Sequence, residues 1–301
     1  MPHGTLHRGG SLLDTDTMFE TKIESKRAAR SDGPQGKTRP FLRWAGSKQR
    51  LLDKMLPLLP ATYGRYYEPF LGSGALFFAL QPRRATLSDA SSELINAWKS
   101  VRDHSRDIAR FLEPLKPSKE FFYELRRNRS ADYPERAAEF LYLNKTCWNG
   151  LYRVNAKGEF NVPYGLPQTD FLFDRTNLFC CSRALSSRKV TIRSCDFEIA
   201  LRSVRSGDLV FLDPPYVTKH NFNGFRDWNE RLFRWEDQER LAIRANKLAN
   251  KGAYVVVSNA LHPDIVALYS DFSVTELERS STLASDSSKR GRVKEALFRS
   301  F

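Results

Sequence analysis

The sequence predicts an α/β fold in which crossover helices cover a parallel sheet. Between Tyr66 and Arg102 the pattern reads strand, turn, helix, strand, helix. This is the order found where parallel strands are joined by crossover helices. Further along the chain, the runs 208–212 and 254–257 are almost entirely apolar, which is typical of strands buried on both faces.

The elements of the first half follow from turn residues and apolar spacing. They are a helix at Lys48–Leu59 that stops at Pro60, a strand at Tyr66–Phe70, a turn at Leu71–Gly74, a helix at Ala75–Leu80, a strand at Ala85–Ser88 and a helix from about Ser91 to Arg102. Asp89 stands directly after the second strand.

The middle of the chain has a different pattern. Ile108–Lys145 has helical spacing, and Trp148–Phe173 is rich in Gly, Asn, Pro and aromatic residues. Strand signals resume at Val190–Ile192. The middle therefore reads as an insertion into the α/β domain. Residues 1–37 are polar, rich in Gly and Ser and without a period, so we predict a disordered tail.

Composition limits the partners. The 301 residues carry a formal net charge of +13, which favours a polyanion, since Lys and Arg contacts to phosphates release counterions. The four cysteines show no CxxC pair and no zinc-type spacing with His, so neither a disulfide framework nor a metal site is predicted. No apolar run reaches the roughly 20 residues that span a bilayer. We expect a cytoplasmic monomer with no membrane partner.

The first motif is the segment Glu68–Gly74, which includes Phe70, Gly72 and Gly74. Its glycines allow a sharp turn after a strand and a close approach by a ligand. The helix that follows presents free N–H groups. Asp89, at the end of the next strand, has the position from which an acidic residue accepts ribose hydroxyls in doubly wound folds. This pattern fits S-adenosylmethionine, a dinucleotide or a plain structural turn, and its departure from GxGxxG disfavours the dinucleotide.

The second motif is Asp213-Pro214-Pro215-Tyr216, at the end of an apolar strand. The prolines fix a rigid turn that combines a carboxylate, a backbone carbonyl and an aromatic face. That set suits an exocyclic amine on a planar base, whose lone pair is delocalised into the ring. Asp213 and the Pro214 carbonyl would accept the amine hydrogens and favour the pyramidal, nucleophilic form, while Tyr216 would stack on the base.

Several segments together resemble the Dam-type adenine-specific DNA N6-methyltransferases. They are 41–48 (FLRWAGSK), 68–74 (EPFLGSG), Asp89, 149–153 (NGLYR), 160–163 (FNVP) and 213–216 (DPPY), in the order typical of that family. The resemblance covers about Arg39 to Phe298. It implies a class I S-adenosyl-L-methionine-dependent methyltransferase fold, a Rossmann-like mixed sheet with an inserted, mainly helical DNA-recognition domain. The implied boundaries are 38–104 and 174–301 for the catalytic domain and 105–173 for the insertion.

The resemblance also implies roles for residues that composition and spacing leave unassigned. Trp44, Lys48, Asp89 and Asp213 would contact S-adenosylmethionine, with Lys48 pairing to its carboxylate and Trp44 packing against its sulfonium or adenine. Asp196 and Phe197, which follow a third strand, would border the cofactor adenine.

For double-stranded DNA the implied contacts lie mostly in the inserted segment. Trp148 and Asn149 would fill the gap beside a flipped-out base, and Arg153 would read a guanine. Leu151 and Pro163 occupy matching recognition positions. Arg43 stands where GATC-methylating members often carry Lys, so GATC is the implied target, with its outer base pair less defined.

Three other functions remain open from the sequence. An N4-cytosine DNA methyltransferase has the same chemical problem, but such enzymes usually carry Ser where this chain has Asp213. An RNA base methyltransferase uses similar Pro-Pro-aromatic segments, although Arg153 together with Trp148 and Asn149 favours duplex DNA. A non-catalytic DNA-binding protein with a degenerate fold is disfavoured because the glycine loop (Glu68–Gly74), Asp89 and the whole Asp213–Tyr216 strip are present.

Overall fold

The computed structural model describes residues 38–155, 157–170, 172–186, 189–217, 233–280 and 292–301. The predicted disordered tail, 1–37, lies outside the described residues. The α-helices are α1 (Leu52–Met55), α2 (Ala75–Leu80), α3 (Ser92–Leu112), α4 (Lys119–Arg127), α5 (Tyr133–Thr146), α6 (Arg175–Ser186), α7 (Phe197–Ala200), α8 (Trp235–Asn250) and α9 (Pro263–Leu268). The strands are β1 (Tyr66–Glu68), β2 (Arg84–Asp89), β3 (Lys189–Ser194), β4 (Leu209–Leu212), β5 (Tyr254–Ala260), β6 (Ser273–Ser280) and β7 (Arg292–Arg299).

The strands form a seven-stranded sheet in the order β3-β2-β1-β4-β5-β7-β6. Strands β1 to β5 pair in parallel, whereas β7 lies antiparallel between β5 and β6. This arrangement confirms the predicted α/β class with a Rossmann-like mixed sheet. The direction of winding reverses between β1 and β4, and ligands of such sheets bind at this switch point, beyond the carboxyl ends of the strands.

The central strands are buried on both faces because neighbouring residues point to opposite sides. In β4, Leu209 and Phe211 pack into one apolar cluster, and Val210 and Leu212 pack into the other. Helices α3, α5 and α6 contribute to the first cluster, and α8 contributes to the second. A core on each face holds the strand ends, and the loops that follow them, in fixed positions.

Two predicted helices differ from the structure. Lys48–Leu59 is not one helix: a 3-10 turn at Lys48–Leu51, α1 and a second 3-10 turn at Leu56–Leu58 follow each other. Pro57, in the last turn, has no N–H to continue an α-helical ladder. The helix predicted to end at Arg102 continues to Leu112, through non-helical dihedrals at His104.

The chain between α3 and β3 holds α4, α5, α6 and an extended segment. In that segment Cys147 forms an antiparallel bridge with Tyr164, and Val154 forms one with Phe160. The boundary predicted at 104/105 falls inside α3, next to its kink, and the division into a catalytic domain and an insertion at 105–173 stays a prediction.

Candidate active site

The glycine loop follows β1 and is shaped by two tryptophans. Gly72 and Gly74 adopt left-handed φ values of 46° and 61°. A Cβ on Gly74 would overlap the Trp98 ring, and one on Gly72 would lie 2.7 Å from Cδ1 of Trp44. The Trp98 indole N–H donates to the Gly72 carbonyl at 3.2 Å. Only glycine fits these positions, so the loop lies directly against both rings.

Asp89 joins the end of β2 to this loop. One carboxylate oxygen accepts the Gly72 N–H at 3.1 Å, and the other accepts the Ser91 N–H at 3.0 Å. Burial raises the pKa of Asp89, and the backbone N–H groups oppose that rise. A carboxylate has about four acceptor positions, so Asp89 retains capacity to accept ligand hydroxyls.

Glu68, at the end of β1, is only 3% exposed. The Tyr66 hydroxyl donates to its Oε2 at 2.9 Å. Burial raises the pKa of Glu68 well above its usual range, and the nearby Asp213 raises it further, against the Tyr66 hydrogen bond. A carboxyl group in this environment favours its neutral form.

The strip Asp213–Tyr216 begins one residue after β4 and surrounds the ammonium of Lys48. Nζ of Lys48 lies 2.9 Å from Oδ1 of Asp213 and 3.4 Å from Oε2 of Glu295. It also donates to the Gly46 carbonyl at 2.9 Å and lies 4.9 Å from the centroid of the Tyr216 ring. Burial opposes the charge on Lys48, but the carboxylates of Asp213 and Glu295 raise its pKa above the ordinary value.

Residues of β5, β7 and α8 hold the rest of the strip. The Tyr216 hydroxyl donates to Oε2 of Glu295 at 2.8 Å and lies 2.9 Å from Oγ of Ser258. The Gln238 side chain donates to the Pro215 carbonyl at 3.0 Å and accepts from Asn259 at 3.1 Å. The strip is therefore held both through the Tyr216 side chain and through the Pro215 backbone.

Asp196 and Phe197, which follow β3 after Cys195, lie at different depths. Phe197 is 5% exposed, with its ring 5.6 Å from Phe70 and also beside Phe233. Asp196 caps α7 by accepting the Glu198 N–H at 2.8 Å. Phe197 is thus core at one side and cavity wall at the other.

Trp44 contacts the recognition segment as well as the glycine loop. Its ring stacks on Tyr152, with centroids 5.4 Å apart and planes 20° from parallel. Burial raises the pKa of Tyr152 to about 12, and the nearby Ser91 side chain opposes that rise. The Tyr152 ring also lies 5.8 Å from Phe160. Sequence reasoning missed Tyr152, although it stands between Leu151 and Arg153.

The predicted DNA-contacting residues lie on the extended segment and beside it. The Trp148 N–H donates to the Pro163 carbonyl at 2.9 Å, and Asn149 has a left-handed φ of 53°. Nε of Arg153 donates to Oδ1 of Asn161 at 2.8 Å, and the Asn161 N–H returns a bond to the Arg153 carbonyl. The backbone that carries Trp148, Asn149 and Arg153 is therefore held by hydrogen bonds to Asn161 and Pro163.

Arg43 precedes Trp44 and is pinned by Asn144. The Asn144 side chain accepts the Arg43 N–H and donates to the Arg43 carbonyl, both at 2.8 Å. It also donates to the Gly150 carbonyl at 3.3 Å. The backbone of Arg43 is thus fixed against the 148–150 turn, while its side chain is exposed.

One cavity of about 1430 Å³ unites nearly all of these residues. Among the predicted residues it is lined by Trp44, Lys48, Glu68, Phe70, Gly72, Gly74, Asp89, Trp148, Leu151, Arg153, Pro163, Asp196, Phe197, Asp213, Pro214, Pro215 and Tyr216. Arg43 and Asn149 do not line it. The glycine loop and Asp89 lie on one side of the cavity, and the strip lies at the end of the adjacent strand.

Sequence reasoning also missed Glu295, Ser258 and Gln238. Glu295 directly precedes three apolar residues of β7, Ala296, Leu297 and Phe298, and Leu297 shares its face of the strand. A carboxylate on an otherwise apolar face is the signal that points to a buried polar role. No comparable signal marks Ser258 or Gln238.

Within the described residues, no group of His, Cys, Asp and Glu has an arrangement that could hold a metal ion. Over the same part of the chain, no helix combines the length and apolar content needed to cross a bilayer.

The fold and the site thus define an α/β protein in which an Asp-Pro-Pro-Tyr strip and a glycine loop lie at adjacent strand ends of a mixed sheet and line one cavity. Residues 44–283 match the model of the D12 class N6 adenine-specific DNA methyltransferases. The chain belongs to this family. The match confirms the predicted recognition and the predicted enzyme class, adenine-specific DNA methyltransferase.

Curated relatives are similar over most of their length. The type II methyltransferase M1.LlaDCHI of Lactococcus lactis subsp. cremoris is 36% identical over 267 residues, which cover 86% of this chain and 94% of that protein. The type II methyltransferase M.MjaIII of Methanocaldococcus jannaschii is 36% identical, over 79% of this chain and 90% of that protein. The DNA adenine methylase of Haemophilus influenzae is 29% identical, over 88% and 94%.

Proposed function

We propose that the protein transfers a methyl group from S-adenosylmethionine to N6 of a flipped-out adenine in duplex DNA, with GATC as the candidate site. The observation that carries this proposal is the placement of Asp213, paired to Lys48, in the same cavity as the glycine loop and Asp89. A methyl donor on the loop and an amine at the strip would then lie at adjacent strand ends.

The residues fit the cofactor. Trp44, Gly72 and Gly74 line the cavity in which the cofactor would lie, and Asp89 stands where ribose hydroxyls would reach it. Phe70 and Phe197 offer an apolar wall for an adenine ring. When bound, S-adenosylmethionine supplies an electrophilic methyl carbon on a positively charged sulfur.

The strip would act on the target amine. Asp213 and the Pro214 carbonyl would accept its two hydrogens. These hydrogen bonds favour a pyramidal nitrogen, whose lone pair is not delocalised into the ring. Lys48 holds the Asp213 carboxylate in place, so we assign Lys48 to Asp213 rather than to the cofactor carboxylate. Lys48 lies over one face of Tyr216, which directs base stacking to the opposite face.

Base flipping gives the recognition segment its proposed role. Extrusion of a base costs a few kcal/mol, and an aromatic side chain inserted into the stack offsets part of that cost. Trp148 is 38% exposed and Asn149 is held beside it in a tight turn, so both can reach the gap. The net charge of +13 favours association with the phosphate backbone.

The rival targets are less well supported. The family description specifies adenine, which disfavours N4 of cytosine. The relatives are named DNA adenine methylases or type II methyltransferases, which disfavours RNA. We further propose that the protein acts as a monomer.

The test is incubation of the protein with isotopically labelled S-adenosylmethionine and duplexes that contain GATC, GATC already methylated at N6, or a scrambled site. We expect labelled N6-methyladenine, identified by mass spectrometry of the nucleosides, only in unmethylated GATC. Asp213→Asn should lose transfer and keep DNA binding. Labelled N4-methylcytosine, label in RNA alone, or full transfer by Asp213→Asn would each contradict the proposal.

A further inference from the structure

Glu295 is a buried carboxylate at the edge of the strip. It lies in β7, opposite Ala260 of β5 and Leu277 of β6, and is 1% exposed. Its Oε2 accepts the Tyr216 hydroxyl at 2.8 Å and lies 3.4 Å from Nζ of Lys48. It therefore touches two members of the site without belonging to the strip or to the glycine loop.

The ammonium of Lys48 is shared between Asp213 and Glu295. Lys48 is 4% exposed, and burial keeps the Tyr216 phenol neutral by raising its pKa. With both carboxylates ionised, the group of Lys48, Asp213, Tyr216 and Glu295 carries one net negative charge. An uncompensated buried charge costs several kcal/mol. A glutamine could fill the same volume and bond to Tyr216, so structure alone does not require a charge at this position.

We propose that Glu295 is a positioning residue for methyl transfer: it fixes Lys48 and Tyr216 relative to Asp213 and keeps this side of the cavity negative. The inference rests on the proposed function. In that reaction N6 forms a bond to the methyl carbon while the carbon–sulfur bond breaks and leaves its electron pair on sulfur. Positive charge moves from sulfur to N6, which then loses one proton to solvent.

The direction of that charge movement explains the use of a second carboxylate. Fixed charges accelerate a reaction when they favour the transition state over the bound ground state. Charge that develops on N6 would lie beside Asp213, the acceptor proposed for that amine, whereas the sulfonium would be held by the glycine loop and Asp89 at the neighbouring strand ends. Glu295 therefore acts mainly on the rate of transfer and only slightly on binding of the cofactor or the DNA.

The central experiment compares Glu295→Gln with the wild-type protein in single-turnover methylation of a substrate duplex. We expect the rate to fall by about 10- to 100-fold, somewhat less than the loss seen when a donor in direct contact with the reacting group is removed. By calorimetry, the Kd of S-adenosylhomocysteine and the Kd of the duplex should change by less than about threefold, roughly 0.6 kcal/mol. A duplex with 2-aminopurine at the target position should show the same fluorescence change on binding to Glu295→Gln as on binding to the wild-type protein, because flipping does not depend on Glu295.

Two controls separate charge from structure. Lys294→Gln removes a charge from the exposed side of the same strand and should leave the rate unchanged. Ser258→Ala removes a hydrogen bond to the Tyr216 hydroxyl without changing the charge, and should slow transfer less than Glu295→Gln does. Glu295→Asp keeps the charge in a shorter side chain and should be faster than Glu295→Gln; it serves as the main test if Glu295→Gln does not fold.

The pH profile gives an independent readout. Loss of a neighbouring negative charge lowers the pKa of a carboxyl group. The remaining carboxyl groups of the cavity beside Lys48, Asp213 and Glu68, should therefore ionise more readily, and the acid limb of the single-turnover rate should move to lower pH in Glu295→Gln. A Glu295→Gln rate within threefold of wild type, an unshifted acid limb, or a Glu295→Asp rate below that of Glu295→Gln would overturn the inference. Failure of the wild-type protein to methylate any duplex would instead refute the proposed function.

Discussion

The ring of Trp44 stacks on the ring of Tyr152, with centroids 5.4 Å apart and planes 20° from parallel. Trp44 also packs on Gly72 of the glycine loop, and Tyr152 lies near Ser91, two residues after Asp89. Arg153, the residue after Tyr152, belongs to the segment proposed to read DNA. This single aromatic pair therefore connects the proposed cofactor site with the proposed recognition segment.

Tyr152→Ala should weaken binding of both ligands. An aromatic pair contributes about 0.5–1.5 kcal/mol beyond the area it buries, so we expect the Kd of S-adenosylhomocysteine to rise by about 2- to 10-fold. The duplex should bind less tightly as well, because the backbone beside Arg153 loses its support. Tyr152→Phe keeps the stack and loses only the hydroxyl, and should lie between wild type and Tyr152→Ala. Calorimetric titration measures both ligands, and an effect on only one of them would contradict the connection.

Gly74→Ala should destabilise the protein strongly. A Cβ there meets the buried Trp98 ring and must adopt a left-handed φ of 61°. Strain of this kind costs about 1–3 kcal/mol, and overpacking adds a similar amount. Gly207→Ala is the matched control, because Gly207 has a φ of +76° with nothing near its Cβ position. Urea unfolding should show a larger loss for Gly74→Ala; equal losses would mean that the Trp98 contact is unimportant.

Glu68→Gln should change how stability depends on pH. Burial raises the pKa of Glu68 in the folded protein. Between the ordinary and the raised pKa the folded state binds more protons than the unfolded state, so the free energy of unfolding falls as pH rises through that window. Glutamine removes this loss, so the stability of Glu68→Gln relative to wild type should increase with pH, by about 1.4 kcal/mol for each unit of the shift.

Thermal unfolding between pH 5 and pH 8 measures this difference. Glu236→Gln, at an exposed position in the first turn of α8, controls for the loss of one carboxylate and should show a nearly constant difference. A pH-independent difference for Glu68→Gln would show that Glu68 is not perturbed in the folded state.

Arg153→Ala should relax sequence discrimination at one base pair. A bidentate contact from Arg to guanine contributes about 1–3 kcal/mol of discrimination. The bond to Asn161 orients the guanidinium, so Asn161→Ala should show a smaller effect at the same position. Lys157→Ala, in the turn of the same segment, should lower binding to all duplexes alike. Methylation rates on duplexes altered one base pair at a time will distinguish these patterns, and a uniform loss for Arg153→Ala would argue against base recognition.

The parallel part of the sheet could be predicted because its strands are short apolar runs that end in marked turns. The strands β1 to β5 lie where those runs predicted them, within one to three residues. The antiparallel β6 and β7 were not predicted. Polar and charged residues interrupt their apolar residues, as in 273–279 (SVTELER), and such a pattern carries less signal than a continuous run.

A similar distinction holds for the site. Gly72, Gly74 and Asp213 could be predicted from the sequence because each lies in a short motif of neighbouring residues. Glu295 does not, because its partner Tyr216 is 79 positions away in the chain and meets it only through the pairing of β7 with β5. Tyr152 likewise meets Trp44 only through the folded position of the recognition segment.

The insertion of β7 between β5 and β6 has a consequence for the timing of activity in the cell. The ribosome releases the glycine loop, Asp89 and the strip well before it releases Glu295. A nascent chain thus contains much of the proposed ligand-binding site while the contact of Glu295 with Lys48 and Tyr216 is still missing. Strands that pair across long stretches of sequence join late in folding. We expect unfinished chains to leave the genome unmodified and methylation to begin only when β7 enters the sheet.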